Sequence, residues 1–253
     1  MHAEKIAALR ASLGSPGLAE TSARIQLGHG EADICLKGGL QRGVLHEVFA
    51  AIGHEAAATG FTAGLAARIA SGKHLLWIRQ DFSTLEFGEL SAAGVLELGL
   101  NPARMFLLCV ANAADGLRAA NDALSCAALG AVVIEIPGNP KILGPMASRR
   151  LTLACAQKAV TAFLLRFSGQ PEASTAETRW LVRAAASPAQ EDNWGHPAFA
   201  ADLVRNRNGR TGQWVMEWNC DESIFKKPAA HSGAVVSAPS DRQAATAREA
   251  AAI

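Results

Sequence analysis

The sequence predicts an α/β fold, with a mostly parallel sheet carrying helices on both faces and antiparallel additions towards the C-terminus. Three observations predict it. Short apolar runs alternate with helical patterns at least four times between residues 44 and 167. Those runs are apolar throughout, as strands buried on both faces must be. Beyond residue 177, two strand-like runs are associated with a turn-rich segment, NRNGRTG.

The elements follow in order. AEKIAALRASL (3–13) places Ile6, Leu9 and Leu13 at helical spacing, which predicts a short amphipathic helix. Residues 14–43 are glycine-rich and read as loop, ending in LKGGLQRG. VLHEVFA (44–50) is the first buried strand, followed by a glycine-containing loop and a helix over 55–70. KHLLWIRQD holds a strand centred on Leu75 to Ile78, and 83–98 read as helix until Asn101-Pro102 interrupts. RMFLLCV (104–110) is a strand, and ADGLRAANDALSCAALG (114–130) a helix capped by Gly130. AVVIEIP (131–137) is a strand stopped by Pro137, SRRLTLACAQKA (148–159) a helix and VTAFLLRF (160–167) a strand. ETRWLVRAAA (177–186) and GQWVMEWN (212–219) read as antiparallel additions, with a hairpin turn at 206–212. From Lys227 large apolar residues become scarce, which predicts a disordered tail whose alanine-rich end suits a helix formed on a partner. The expected organisation is a lead-in over 1–39, one α/β domain over 40–226 and a tail over 227–253.

Bulk properties narrow the function. A formal net charge of +1 over 253 residues excludes a protein that coats nucleic acid by overall charge, but leaves room for a local basic groove. Five cysteines without a C-x-x-C pair exclude the usual zinc spacing and suggest buried free thiols in a reducing compartment. No run approaches the ~18 apolar residues of a membrane span, and the N-terminus lacks a signal-peptide core, so a cytoplasmic location is expected.

The chemistry turns on Val44 to Ala70, a strand, glycine loop and helix of the kind that cradles phosphates. A working loop reads G-x-x-x-x-G-K-[ST]: glycines admit the phosphates, lysine neutralises them and Ser/Thr holds magnesium. The best register sets Gly60-Phe61-Thr62 where Gly-Lys-Thr belongs, so Phe61 replaces the lysine. Glu55 then stands at the first glycine position, where its carboxylate repels phosphate. A register from Gly53 reaches Ala58-Thr59, again without lysine. The expectation is a degenerate loop without hydrolysis, and no cofactor. His46-Glu47 reads as structural, because neighbours in a strand face opposite ways. His54-Glu55 lacks a third metal ligand nearby.

The order VLHEVF, LLWIRQD, LELGLNPARMFLL, ADGLRAANDALSCAALGAVVIEI resembles the core of the RecA recombinase along 40–185. Most of the chain, including DLVRNRNGRTGQWVMEWN and HSGAVVSAPSDR, resembles more closely a RecA-related family of bacterial accessory proteins, ImuA (inducible mutagenesis protein A), related to SulA. The resemblance places Glu135 at the Walker B acid and Asp81 at the water-activating acid, with Arg79 replacing another acid; a salt bridge or helix cap is the expected use of both carboxylates ahead of magnesium. It implies a non-catalytic adaptor in SOS-induced, error-prone translesion synthesis, acting in DNA damage repair and mutagenesis. The implied partners are an ImuB-type Y-family polymerase homologue, the RecA recombinase and, indirectly, an error-prone C-family polymerase complex. Candidate contacts with DNA or a partner are Lys141, Arg149 and Arg150 beside one loop, Arg179 in a second loop (167–179), and Arg205, Arg207 and Arg210 in the basic hairpin. Trp214 and Trp218, four apart on one strand face, read as core or as partner anchors. Two other functions fit the residues: a SulA-like cell-division inhibitor, and a divergent DNA-dependent ATPase using Lys73 or Lys141.

Overall fold

The computed structural model describes residues 23–187 and 195–228; the 3–13 segment and the tail from 229 lie outside the described residues. In chain order the elements are β1 (Arg24–Ile25), α1 (Gly30–Cys35), β2 (Leu40–Gln41), β3 (Leu45–Ala50), α2 (Glu55–Ala70), β4 (His74–Gln80), α3 (Ser83–Phe87), α4 (Ala92–Glu97), β5 (Met105–Val110), α5 (Ala113–Ala123), β6 (Leu129–Glu135), α6 (Pro145–Lys158), β7 (Thr161–Arg166), β8 (Thr178–Ala184), β9 (Ala198–Asn206), β10 (Gly212–Asn219) and β11 (Ile224–Lys226). β3 to β11 form one nine-stranded sheet in the order β11-β10-β9-β8-β3-β7-β6-β4-β5. The run from β8 to β5 is parallel, and β9, β10 and β11 join antiparallel. This is an α/β architecture with a RecA-like core.

Each face of the sheet has its own core. On one lies α2, with Val48, Phe61, Leu65, Trp77, Val133, Phe163 and Trp180. On the other lie α5 and α6, with Leu45, Ile78, Val132, Ile134, Leu151 and Leu164. The centre of the parallel run, β3, β6 and β7, is buried along its whole length. That is why those strands are continuous apolar runs in the sequence. α2 is apolar on nearly every side because it is enclosed. The sheet lies on one side, and the antiparallel strands bring Phe199, Trp218 and Phe225 to it. Gly60 and Gly64 allow this approach. A Cβ on Gly64 would meet Phe225 at 2.8 Å and Trp218 at 3.0 Å.

Several sequence expectations need correction. β8 is not an antiparallel addition: it pairs parallel with β3, and the antiparallel part begins at β9. The helix expected over 83–98 is broken at Gly88, whose φ of 80° ends α3. The helix expected to reach Gly130 stops at Ala123. Gly130 lies in β6, where a Cβ would come within 2.7 Å of the Ala70 backbone, so it serves close packing and not a cap. The lead-in read as loop contains α1 and the β1–β2 pair, which contribute Leu27, Leu36 and Leu40 to the core. β9 is a strand that sequence reading passed over, although Phe199, Ala201 and Leu203 alternate inward. Of the five thiols only Cys155 is fully buried, and desolvation pushes it up to about 12; Cys109 and Cys126 are exposed. Cys109 is exposed because β5 is the sheet edge.

A buried hydrogen-bond chain ties β2, β3 and β8 together. His46 Nε2 lies 2.8 Å from the Gln41 carbonyl and so donates. Its Nδ1, 2.8 Å from Thr178 Oγ1, therefore accepts the threonine proton, and the Trp180 indole donates to the same Oγ1. Neutral imidazole satisfies every member; a protonated ring would turn Nδ1 into a donor and take away the acceptor of the Thr178 hydroxyl proton. Desolvation by burial is the main cause that lowers the His46 pKa to about 4. In the unfolded chain histidine titrates near 6.5, so as pH falls below that value the unfolded state takes up a proton that the folded state refuses. The stabilisation is therefore complete above pH ~6.5 and is lost towards pH ~4, about 3 kcal/mol in total. Urea unfolding across this range should show that loss, and His46→Gln should flatten it; an unchanged slope in the variant would contradict the assignment.

Candidate functional site

In open α/β sheets ligands bind beyond the carboxyl ends of the parallel strands, and the sequence candidates of the phosphate loop meet there. The β3–α2 connection is only Ala51 to His54, and helix begins at Glu55. Gly53 alone of the proposed loop residues lies on the loop, with φ of 77°. Glu55, Gly60, Phe61 and Thr62 are all within α2. The loop register is thereby corrected: Gly60-Phe61-Thr62 falls in the second turn of a helix. Phe61 is fully buried, with ring centroids 5.1 Å from Phe225, 5.4 Å from Trp180 and 5.8 Å from Phe199. Thr62 donates its hydroxyl to the Ala58 carbonyl at 2.7 Å. The Gly60 that resembled a phosphate glycine instead makes room for Phe199, 3.3 Å from where its Cβ would be. At the helix start, the Gly53 N–H donates to the Glu55 carboxylate at 3.3 Å. A carboxylate of the chain itself thus stands where the helix N-terminus attracts an anion. His54 is tied to the end of β8, its Nδ1 accepting from the Ala184 N–H at 3.1 Å.

The strand-end acids separate. Glu135 is buried at the end of β6, where it accepts from Arg79 at 3.1 Å and from the Trp77 indole at 3.2 Å. The Arg79 and Glu135 side chains are 3% and 1% exposed, so both charges are nearly dry. Arg79 Nε has no hydrogen-bond partner among the described residues. Asp81 lies exposed just past β4, and its N–H donates to the Val110 carbonyl at 2.9 Å. A cleft of about 180 Å³, lined by Thr59, Gly60, Arg79, Leu90, Glu135 and Phe167, lies between α2 and the α3–α4 segment. Among the described residues no group of three or more His, Cys, Asp or Glu is placed to hold a metal ion.

On the opposite face, arginines fasten the two loops that follow β6 and β7. Arg166, which sequence reading missed, is buried and donates to the carbonyls of Ile136 and Gly138 and to Asn139 Oδ1. Arg179 pairs with Glu47 at 2.7 Å and donates to the Glu172 carbonyl at 2.6 Å. Arg205 donates to the Ser174 carbonyl and Arg207 to the Thr175 carbonyl. The Arg166 and Arg179 guanidiniums lie 5.4 Å and 5.5 Å from the Phe49 ring. Arg179, Arg205 and Arg207, expected as outward contacts, therefore spend donors on holding the 172–175 loop. Arg210 is exposed on the hairpin turn. Lys141, Arg149 and Arg150 are exposed and bond to no other described residue. Trp218 is fully buried and donates to the Glu97 carbonyl at 3.1 Å; Trp214 is half-buried, 6.2 Å from Trp180. Trp218 belongs to the core, and Trp214 packs against its edge. Arg166 had a usable signal, a lone charge closing an apolar strand, TAFLLR.

The strand order of the parallel run, with antiparallel strands joined at one side, defines an α/β domain with a RecA-like core. Protein ImuA of Caulobacter vibrioides, in each of two strains, is 30% identical to this chain over 213 residues, covering 76% of this chain and 82% of the relative. The chain belongs to the ImuA family. No protein-family profile matches it.

Breaking a buried ion pair is costly because it strands the remaining charge, whereas replacing both partners with apolar residues is often neutral. Glu135→Leu should lower unfolding free energy by about 3–5 kcal/mol, and Arg79→Met combined with Glu135→Leu should recover most of it. Urea unfolding of both variants checks this. A loss below ~1 kcal/mol in the single variant, as for a surface pair, would contradict it.

Proposed function

We propose that this chain is a non-catalytic RecA-like accessory protein of damage-induced, error-prone translesion synthesis. The observation that carries the non-catalytic part is Phe61, an aromatic core anchor in the second turn of α2 where a phosphate-binding lysine would have to reach solvent. The four-residue turn with its own carboxylate adds to it. Loss of the lysine point charge removes what neutralises the terminal phosphate during transfer. Membership of the ImuA family supports the setting in mutagenesis.

In this reading the domain acts as an adaptor. It meets an ImuB-type Y-family polymerase homologue and RecA, and through them an error-prone C-family polymerase complex. RecA-type cores join head to tail through heterologous faces, and this chain keeps a surface suited to joining. β5 is the sheet edge, and Phe106 and Leu107 on it are 57% and 51% exposed. Such an edge offers unpaired backbone groups and apolar side chains together. A copy that joins a filament without hydrolysing ATP caps it or carries other proteins to it. Among the described residues no helix is long and apolar enough to cross a membrane.

Affinity purification of the tagged chain from DNA-damaged cells, with and without residues 228–253, tests this. The polymerase homologue or RecA should be recovered, and the truncation tells whether the last residues are the handle. Recovery of a division protein in their place would replace the adaptor with a SulA-like inhibitor.

A further inference from the structure

We infer that the groove between α5 and α6 is a docking site for an acidic amphipathic helix of a partner protein. The inference rests on the adaptor reading for its biological use, and on the following geometry for its chemistry. The groove has a volume of about 610 Å³, within the roughly 300–1,000 Å³ of clefts that hold ligands. Its apolar surface is Leu117, Ile142, Met146 and Leu151, and Arg118 and Arg150 stand along it. Ile142 and Met146 are 51% and 67% exposed, a high exposure for two neighbouring apolar side chains on an otherwise ordered surface. Met146 suits such a place, since its unbranched thioether adapts to a partner's shape.

Charge selects the partner. Lys141 precedes Ile142, and Arg149 precedes Arg150; all three cations are exposed and bond to no other described residue. Among the described residues Arg118 is paired only with Asp115, in its own helix, at 3.0 Å. Asp122 is the other acid on this stretch of α5. Among the described residues two cations, Arg118 and Arg150, and no acid line the groove, which leaves it positive and selects an acidic ligand.

Geometry selects its conformation. The walls are stripes at helical spacing, from Ala114 to Asn121 on α5 and from Met146 to Leu151 on α6. They present side chains and no free strand edge. An extended peptide there would leave its backbone groups unpaired, whereas a helix satisfies its own and offers an apolar face. None of the described residues that line the groove is an aromatic on which a nucleic-acid base could stack. The chain's own amphipathic stretch, residues 3–13, carries Lys5 and Arg10 against Glu4, the wrong charge for this rim.

The test uses the full chain and a fluorescein-labelled helical peptide with leucines on one face and glutamates on the other, read by fluorescence anisotropy. A counterpart with lysines replacing the glutamates is the control. The glutamate peptide should bind saturably and the lysine peptide roughly tenfold or more weakly. Met146→Asp should weaken the glutamate peptide by a similar factor. Arg118→Glu with Arg150→Glu should reverse the preference between the peptides, which loss of structure cannot do; an unchanged melting curve confirms that the exposed substitutions leave the fold intact. Equal binding of both peptides, no saturable binding, or no reversal overturns the inference. So does a labelled oligothymidylate that binds through Arg118 and Arg150 when the glutamate peptide does not, since the surface would then serve nucleic acid. If the peptide fails while purification still recovers the polymerase homologue, the groove is wrong and the adaptor stands.

Discussion

Everything in this molecule depends on the burial of α2. Sixteen residues of helix lie against the parallel strands while β9, β10 and β11 bring aromatic side chains to them. A helix so enclosed must be apolar on nearly all sides, and EAAATGFTAGLAARIA is. It must also be thin where rings approach. Gly60 and Gly64 supply that thinness, one under Phe199 and the other under Phe225 and Trp218. Phe61 closes the contact. Glycine normally weakens a helix interior by about 1 kcal/mol, so two such residues in one helix make sense only when packing repays them. Gly60 is also what makes the segment look like a phosphate loop.

The polar groups follow from that packing. Once α2 begins directly after a four-residue turn, the helix N-terminus is occupied by Glu55 and the space above the strand ends is small. Glu135, at the end of β6, is buried and is answered by Arg79 and Trp77. On the other face, Arg166, Arg179, Arg205 and Arg207 point their donors at the carbonyls of two long loops. Loops that lack regular structure must satisfy their backbone groups somehow, and here guanidinium groups do it. Arg118, Lys141, Arg149 and Arg150 lie on α5, α6 and the loop before α6, where Ile142 and Met146 are also exposed.

Much of this was legible from residues alone, and the exceptions have physical causes. The buried strands β3, β4, β6 and β7 announce themselves as apolar runs, and the helix read at roughly 55–70 is α2. β9 is hard to read because the positions opposite its core-facing Phe199, Ala201 and Leu203 include Ala198, Ala200 and Val204, so its alternation is faint. β8 was given the wrong direction because strand direction depends on which neighbour it finds, and β3 is 132 residues from it at the His46–Thr178 pair. Gly130 looked like a cap because a glycine after a helical pattern usually is one; only the Ala70 backbone, distant in sequence, explains it. The acid at Glu135 and its arginine were singled out from the sequence, but their pairing was not, nor was the consumption of Arg179, Arg205 and Arg207 by a loop. A basic residue in a sequence shows its charge and not its partner.

On the proposed function, the turn between β3 and α2 receives no phosphate. Hydrogen–deuterium exchange of residues 51–62, with and without saturating Mg-ATP, tests it at the site itself. The account predicts identical exchange in both conditions, because Gly53 is already capped by Glu55 and the second turn of α2 is already buried. New protection confined to Gly53 and the first turn of α2 in the presence of Mg-ATP would contradict it.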